Sequence, residues 1–141
     1  MDERSKVADW MTPNPVTIEE DASIIEAMHL LKAKGFRRLP VMKKGKVAGV
    51  LTERMLLTYS PGKSTSMDTW EVHYLLAKTP VREAMNPRPH TVTPDTPVAE
   101  AAKLLHDRKL NGVLVVNERR ELVGIFTTTN ALEALIAFTG A

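Results

Sequence analysis

A mixed α/β (α+β) fold, in which two β-α-β-β-α units pack sheet to sheet around a pseudo-two-fold axis, is the architecture this sequence predicts. The first observation is self-similarity. Displacing the chain by 74 residues aligns Val7 with Val81, Met11 with Met85, Pro13 with Pro87, Thr17 with Thr91, Ala27 with Ala101, Leu31 with Leu105 and Val41 with Val115. In all there are 11 identities over positions 7–41, against roughly two for random pairing at average residue usage. One residue inserted after Lys44 then brings Gly49 onto Gly124, Thr52 onto Thr127 and Leu57 onto Leu132. The second observation is that short extended runs alternate with segments whose apolar residues recur at three and four. The third is size: a copy of about 50 residues buries too little surface to stand alone. The copies should therefore pack on each other, and the symmetry should create two equivalent clefts.

The elements follow in order. Val16-Thr17-Ile18 is a short extended piece, after which Asp21 or Ser23 can cap a helix carrying Ile24, Ala27, Met28 and Leu31 on one face. Ser23 with Glu26 has the spacing of a capping box, and Gly35 is suited to the left-handed residue that closes a helix. Arg38 to Met42 and Lys46 to Leu51 read as two strands around a Lys43-Lys44-Gly45 turn, and a second helix begins near Thr52. The second copy repeats this plan. Thr96 is the expected N-cap with Pro97 in the first turn, followed by Ala101, Leu104 and Leu105 on the buried face. Strands at Val113 to Val116 and Leu122 to Phe126 precede a final helix from about Thr128 to Ala137. The repeats thus occupy residues 7–58 and 81–137, and residues 59–80 form a linker. Tyr59 to Ser64 has turn chemistry, and Trp70 to Leu76 after Asp68-Thr69 reads as a capped amphipathic helix.

Composition narrows the function. The 141 residues, 43% of them hydrophobic, suffice for a core without staples, and there is no cysteine. Disulfides, thiolate metal sites and thiol nucleophiles are excluded, and a reducing cytoplasm is the expected compartment. Nineteen basic against 17 acidic residues leave a net charge of +2, with 5% aromatics. Nucleic acid is accordingly not expected as a partner. The charged start Met1-Asp2-Glu3-Arg4 runs into no apolar stretch, so neither a signal peptide nor a membrane span is expected. No Gly-rich phosphate loop, nucleophile elbow or His-Glu-x-x-His is present, and His29, His73, His90 and His106 share no metal-ligand spacing. Neither an enzyme nor a required cofactor or metal is expected.

The repeat resembles a tandem pair of cystathionine-β-synthase (CBS) domains, the Bateman module. The resemblance is carried by Val7-Ala8-Asp9-Trp10-Met11-Thr12-Pro13, Leu39-Pro40-Val41 and Gly49-Val50-Leu51-Thr52 in the first copy. In the second it is carried by Val81-Arg82-Glu83-Ala84-Met85, Thr91-Val92-Thr93-Pro94-Asp95 and Leu122-Val123-Gly124-Ile125-Phe126-Thr127. Nearly the whole chain is covered. The linker resembles that of acetoin-utilization-type CBS pairs.

This resemblance implies a regulatory module, often a homodimer, that holds AMP, ADP, ATP or S-adenosylmethionine and signals to another protein. Backbone beside Thr17-Ile18 and Thr91-Val92 would meet an adenine edge, with Pro40 and Val113 flanking, and Thr52 and Thr127 would meet phosphate. Arg37 and Arg38 stand where the family often carries basic phosphate contacts; Asn111 and Gly112 stand there in the second copy. The family's ribose-binding Asp, three residues after the Thr, is Met55 in one copy and Asn130 in the other. Methionine offers ribose no useful acceptor, whereas Asn130 keeps a neutral one. Ribose is therefore expected beside Asn130, and Arg37 or Arg38 would supply phosphate contacts to a composite site. The alternative is a homodimeric interaction module with degenerate clefts and no small-molecule ligand.

Overall fold

The computed structural model describes residues 5–35, 37–59 and 69–140. The turn chemistry at Ser60 to Ser64 and the proposed cap Asp68 lie outside those residues. Within them the fold is mixed α/β with two sheets, as the sequence predicts. The chain forms two compact units, one of Val16–Arg88 and one joining Met1–Pro15 to Pro89–Ala141.

The first unit contains β2 (Ile18–Glu19), α2 (Ile24–Lys34), β3 (Arg38–Lys43), β4 (Lys46–Thr52), α3 (Glu53–Thr58) and α4 (Thr69–Lys78). β2 runs parallel to β3, and β3 antiparallel to β4. Lys44 and Gly45, with φ of 51° and 79°, make the left-handed two-residue turn that matches strand twist. Ser23 accepts the Glu26 N–H at 3.1 Å, and Gly35 closes α2 at φ 68°. Ile24, Ala27 and Leu31 of α2 pack with Leu39, Val41 and Leu51 of the sheet in one buried cluster.

The second unit repeats this with α1 (Val7–Trp10), β1 (Thr12–Pro13), β5 (Thr91–Val92), α5 (Val98–Arg108), β6 (Gly112–Val116), β7 (Leu122–Thr127) and α6 (Thr128–Thr139). Its sheet order is β1-β7-β6-β5, and its core joins Val98, Ala101 and Leu105 to Val113, Val115 and Phe126. One expected cap is corrected: α5 starts at Val98 with Pro97 at the N-cap position. The Thr96 hydroxyl is already engaged, accepting the Thr93 N–H at 3.0 Å, so it closes the preceding turn instead of capping the helix.

The leading segment of each repeat packs with the body of the other repeat. Val7 is fully buried in the second unit's core, and Val81 in the first unit's. The hydrogen bonds repeat with the same offset. Val7 N–H donates to the Thr96 carbonyl at 2.9 Å, as Val81 N–H does to Ala22 at 2.7 Å. Thr12 pairs with Ile125 in β1–β7, and Asn86 pairs with Val50 in an isolated bridge. A sequence identity explains how closely these segments approach. At Gly124 a Cβ would lie 2.9 Å from the Thr12 carbonyl oxygen and 2.7 Å from Met11 Sδ; at Gly49 it would lie 2.5 Å from the Asn86 oxygen and 2.7 Å from Met85 Sδ. Each repeat thus keeps a glycine where the other repeat's Met-led segment lies down on the sheet.

Candidate functional site

Side-chain alternation divides the predicted site residues between the faces of each sheet. In the first unit Ile18, Leu39, Val41 and Leu51 point to the helices and form core, so Ile18 has only its backbone to offer. Arg38 and Thr52 are direct partners across β3–β4 and share a face. By alternation along β3 that face also carries Pro40, which is fully buried. It is the face turned away from α2. In the second unit Val113 is core and Val92 packs against that core. Gly112 is opposite Thr127, and Thr91 is opposite Leu114, on the outer face. Asn111 contributes backbone: its carbonyl accepts the Thr128 N–H at 3.0 Å, as Arg37 does for Glu53 at 3.2 Å.

The two threonines are both N-caps, but they are occupied differently. Thr127 Oγ1 accepts the Asn130 N–H at 3.2 Å and donates to Asn130 Oδ1 at 3.0 Å. The Thr127 N–H donates to the same Oδ1 at 2.9 Å. Asn130 Nδ2 in turn faces Glu133 Oε1 at 3.3 Å and Thr12 Oγ1 at 3.5 Å. Asn130 is 7% exposed, and the acceptor oxygen that a ribose would need is committed to a reciprocal capping box. Asn130→Ala should therefore cost about 1 kcal/mol of unfolding free energy in chemical denaturation, the usual worth of a cap.

In the first unit Thr52 Oγ1 accepts the Met55 N–H at 3.2 Å. Met55 has no side-chain oxygen to complete the box, so the Thr52 hydroxyl proton has no acceptor among the described residues. Beside it, the Arg38 guanidinium has no hydrogen-bond or ion-pair partner among those residues. Burial holds its guanidinium below the ordinary arginine range, and the charge of Arg37 lowers it further. Arg37 points elsewhere, lining a cavity between α2 and α3 with Met28, Leu31, Lys32, Gly35, Glu53 and Leu56. The adjacent arginines therefore do not act as one clamp.

Sequence reasoning missed Thr12 beside Asn130 and the methionines against the glycines. The paired identities Met11/Met85 and Gly49/Gly124 were the available signal.

Comparison with known proteins agrees with this duplicated geometry. The family model described as CBS domain matches residues 7–62 and again 81–137. The chain belongs to the CBS-domain family. A CBS domain-containing protein of Dictyostelium discoideum is 31% identical over 133 residues, covering 92% of this chain and 90% of the relative. The crystal structure of the CBS protein CBSX2 in complex with AMP superposes with a TM-score of 0.79 at 29% identity, over 96% of this chain and 99% of that one. A CBS-pair structure described as a putative acetoin utilization protein from Vibrio cholerae gives 0.76 at 27% identity, over 96% and 93%. A relative from Methanocaldococcus jannaschii is longer, the chain spanning 45% of its length at 26% identity, and a protein of Bacillus subtilis matches over 47 residues only, 33% of this chain and 32% of its own, at 47% identity. Among the described residues no helix of this CBS pair is long and apolar enough to cross a membrane.

Proposed function

We propose that this CBS pair is a sensing module for an adenine nucleotide, with its phosphate-binding group on the first unit. The observation that carries this reading is Arg38: a half-buried cation without a counter-charge among the described residues, directly opposite a threonine hydroxyl whose proton has no acceptor among them. Desolvating a cation without pairing it is unfavourable, and an incoming phosphate would supply both the charge and the acceptors that this pair lacks. Backbone at Thr17-Ile18 would hold the adenine edge. The AMP bound to the similar CBSX2 supports the ligand class. Arg37 is not needed for this phosphate, and Asn130 would meet a ribose only by giving up its cap. That commitment of Asn130 favours the second reading, an interaction module without small-molecule ligand.

Titration calorimetry with AMP, ADP, ATP and S-adenosylmethionine separates the two readings. Binding of an adenine nucleotide that weakens in Arg38→Met supports the sensor. Heats indistinguishable from dilution for all four compounds support the interaction module.

The sensor would act by presenting a changed surface, through differential affinity for two states. A homodimer is part of the proposal. Leu132, Leu135 and Ile136 are 53%, 46% and 52% exposed on α6, and the spacing of three and four places them on one stripe. Introducing Asp at both Leu135 and Ile136 should convert a dimer to a monomer in sedimentation velocity, with the circular dichroism unchanged because neither side chain is in the core. A variant that sediments as the parent does would remove this stripe from the interface.

A further inference from the structure

We infer that the cavity between α2 and α3 is a second ligand site, separate from the nucleotide face, and that it takes a free apolar α-amino acid. The cavity has a volume of about 510 Å³, within the range of small-molecule sites. Its lining is of two kinds: Met28, Leu31 and Leu56 supply apolar surface, and Lys32, Arg37 and Glu53 supply charge. Neither Lys32 nor Arg37 has an ion-pair or hydrogen-bonded side-chain partner among the described residues, and Glu53 is not within ion-pair distance of either. Two cations and one carboxylate without ion-pair partners among the described residues, set around an apolar wall, match a zwitterion with an apolar side chain. The ligand carboxylate meets Arg37 and Lys32, its ammonium meets Glu53, and its side chain lies on Met28 and Leu56. A simple fatty carboxylate would leave Glu53 facing a like charge, and an alkylamine would leave both cations unmet.

The other repeat shows that this arrangement is particular to the first unit. At the positions matching Lys32, Arg37, Glu53 and Met28 the second copy has His106, Asn111, Thr128 and Ala102, so both cations' spacing and the acid are lost together. The helices also end differently. α6 continues to Thr139 and places Phe138 against the second unit's core, with its ring 6.1 Å from Trp10, whereas α3 stops at Thr58. No residue of α3 takes the place that Phe138 has on α6, and the cavity floor is formed by the buried Leu31 and Leu56.

The test uses the intact protein with methyl-labelled methionine, titrated with L-phenylalanine, L-leucine, octanoate and octylamine and followed by NMR and calorimetry. The expected result is saturable binding of the amino acids that moves the Met28 methyl resonance. Affinity should fall about tenfold or more in Arg37→Ala and again in Glu53→Gln, in keeping with the loss of one charge-assisted contact. Both residues are exposed, so the variants should fold as the parent does, and Lys32→Ala provides a further check. The inference is overturned if neither amino acid binds, if binding is indifferent to Arg37 and Glu53, or if octanoate binds as tightly and gains affinity in Glu53→Gln. Because Arg38 is untouched, Arg37→Ala should still bind adenine nucleotide, so that loss of the amino-acid response alone is distinguishable from failure of the nucleotide reading.

Discussion

Gly124→Ala is expected to lower the unfolding free energy by about 1–3 kcal/mol, the usual cost of overpacking a filled site. The added Cβ would sit 2.7 Å from Met11 Sδ and 2.9 Å from the Thr12 carbonyl oxygen. The sulfur can move, because a methionine side chain is flexible. The carbonyl cannot move without disturbing the β1–β7 ladder, in which Thr12 pairs with Ile125 and Pro13 with Gly124. Met11→Ala combined with Gly124→Ala should therefore recover only part of the loss. Urea denaturation of both variants measures this, and full recovery in the double variant would show that the sulfur alone sets the limit. Gly49→Ala should behave alike, since the Asn86 oxygen lies 2.5 Å from its Cβ position.

The second large effect is a change of opposite sign in stability and affinity at one residue. Arg38→Met keeps an apolar stem of similar length and removes a cation that burial and Arg37 both disfavour. The ligand-free protein should consequently melt at a temperature equal to or above the parent's. Adenine-nucleotide affinity should fall by roughly ten- to a hundredfold, the range for losing hydrogen bonds to a charged group. Thermal melts with and without AMP read both quantities at once, because a ligand at about 100 times its dissociation constant adds about 2.7 kcal/mol. A variant that is destabilised, yet still shifts with AMP as the parent does, would make Arg38 a structural residue. Binding sites commonly keep such groups at a cost in stability.

Much of this arrangement was legible in the chain itself. Ser23, Gly35, Lys44-Gly45 and Thr52 carry out the capping and turning that their residue types predict, because those interactions close within three or four residues. Thr96 is the exception. Its hydroxyl was within reach of both a helix and the turn before it, and Thr93 took it. The face to which each strand residue points also followed from alternation once one core residue was known, as with Leu39 and Val41 against Arg38.

The surroundings of the predicted site residues were less legible. Arg37 and Arg38 are neighbours in sequence, and only the strand start at Arg38 separates them, sending Arg37 to the α2–α3 cavity. Asn130, the residue expected beside a ribose, is buried with Thr127, Thr12 and Glu133 as its hydrogen-bond partners.

By itself, then, the sequence determined a duplicated β-α-β-β-α chain and its family, since repeat spacing, caps and apolar periodicity are local or compare like with like. The tertiary structure alone decided that each repeat's leading segment completes the other's unit. Bonds such as Val7 N–H to Thr96 and Val81 N–H to Ala22 join residues far apart in the chain. Either copy offers those segments the same backbone pattern, so no local signal distinguishes the exchanged pairing from the unexchanged one.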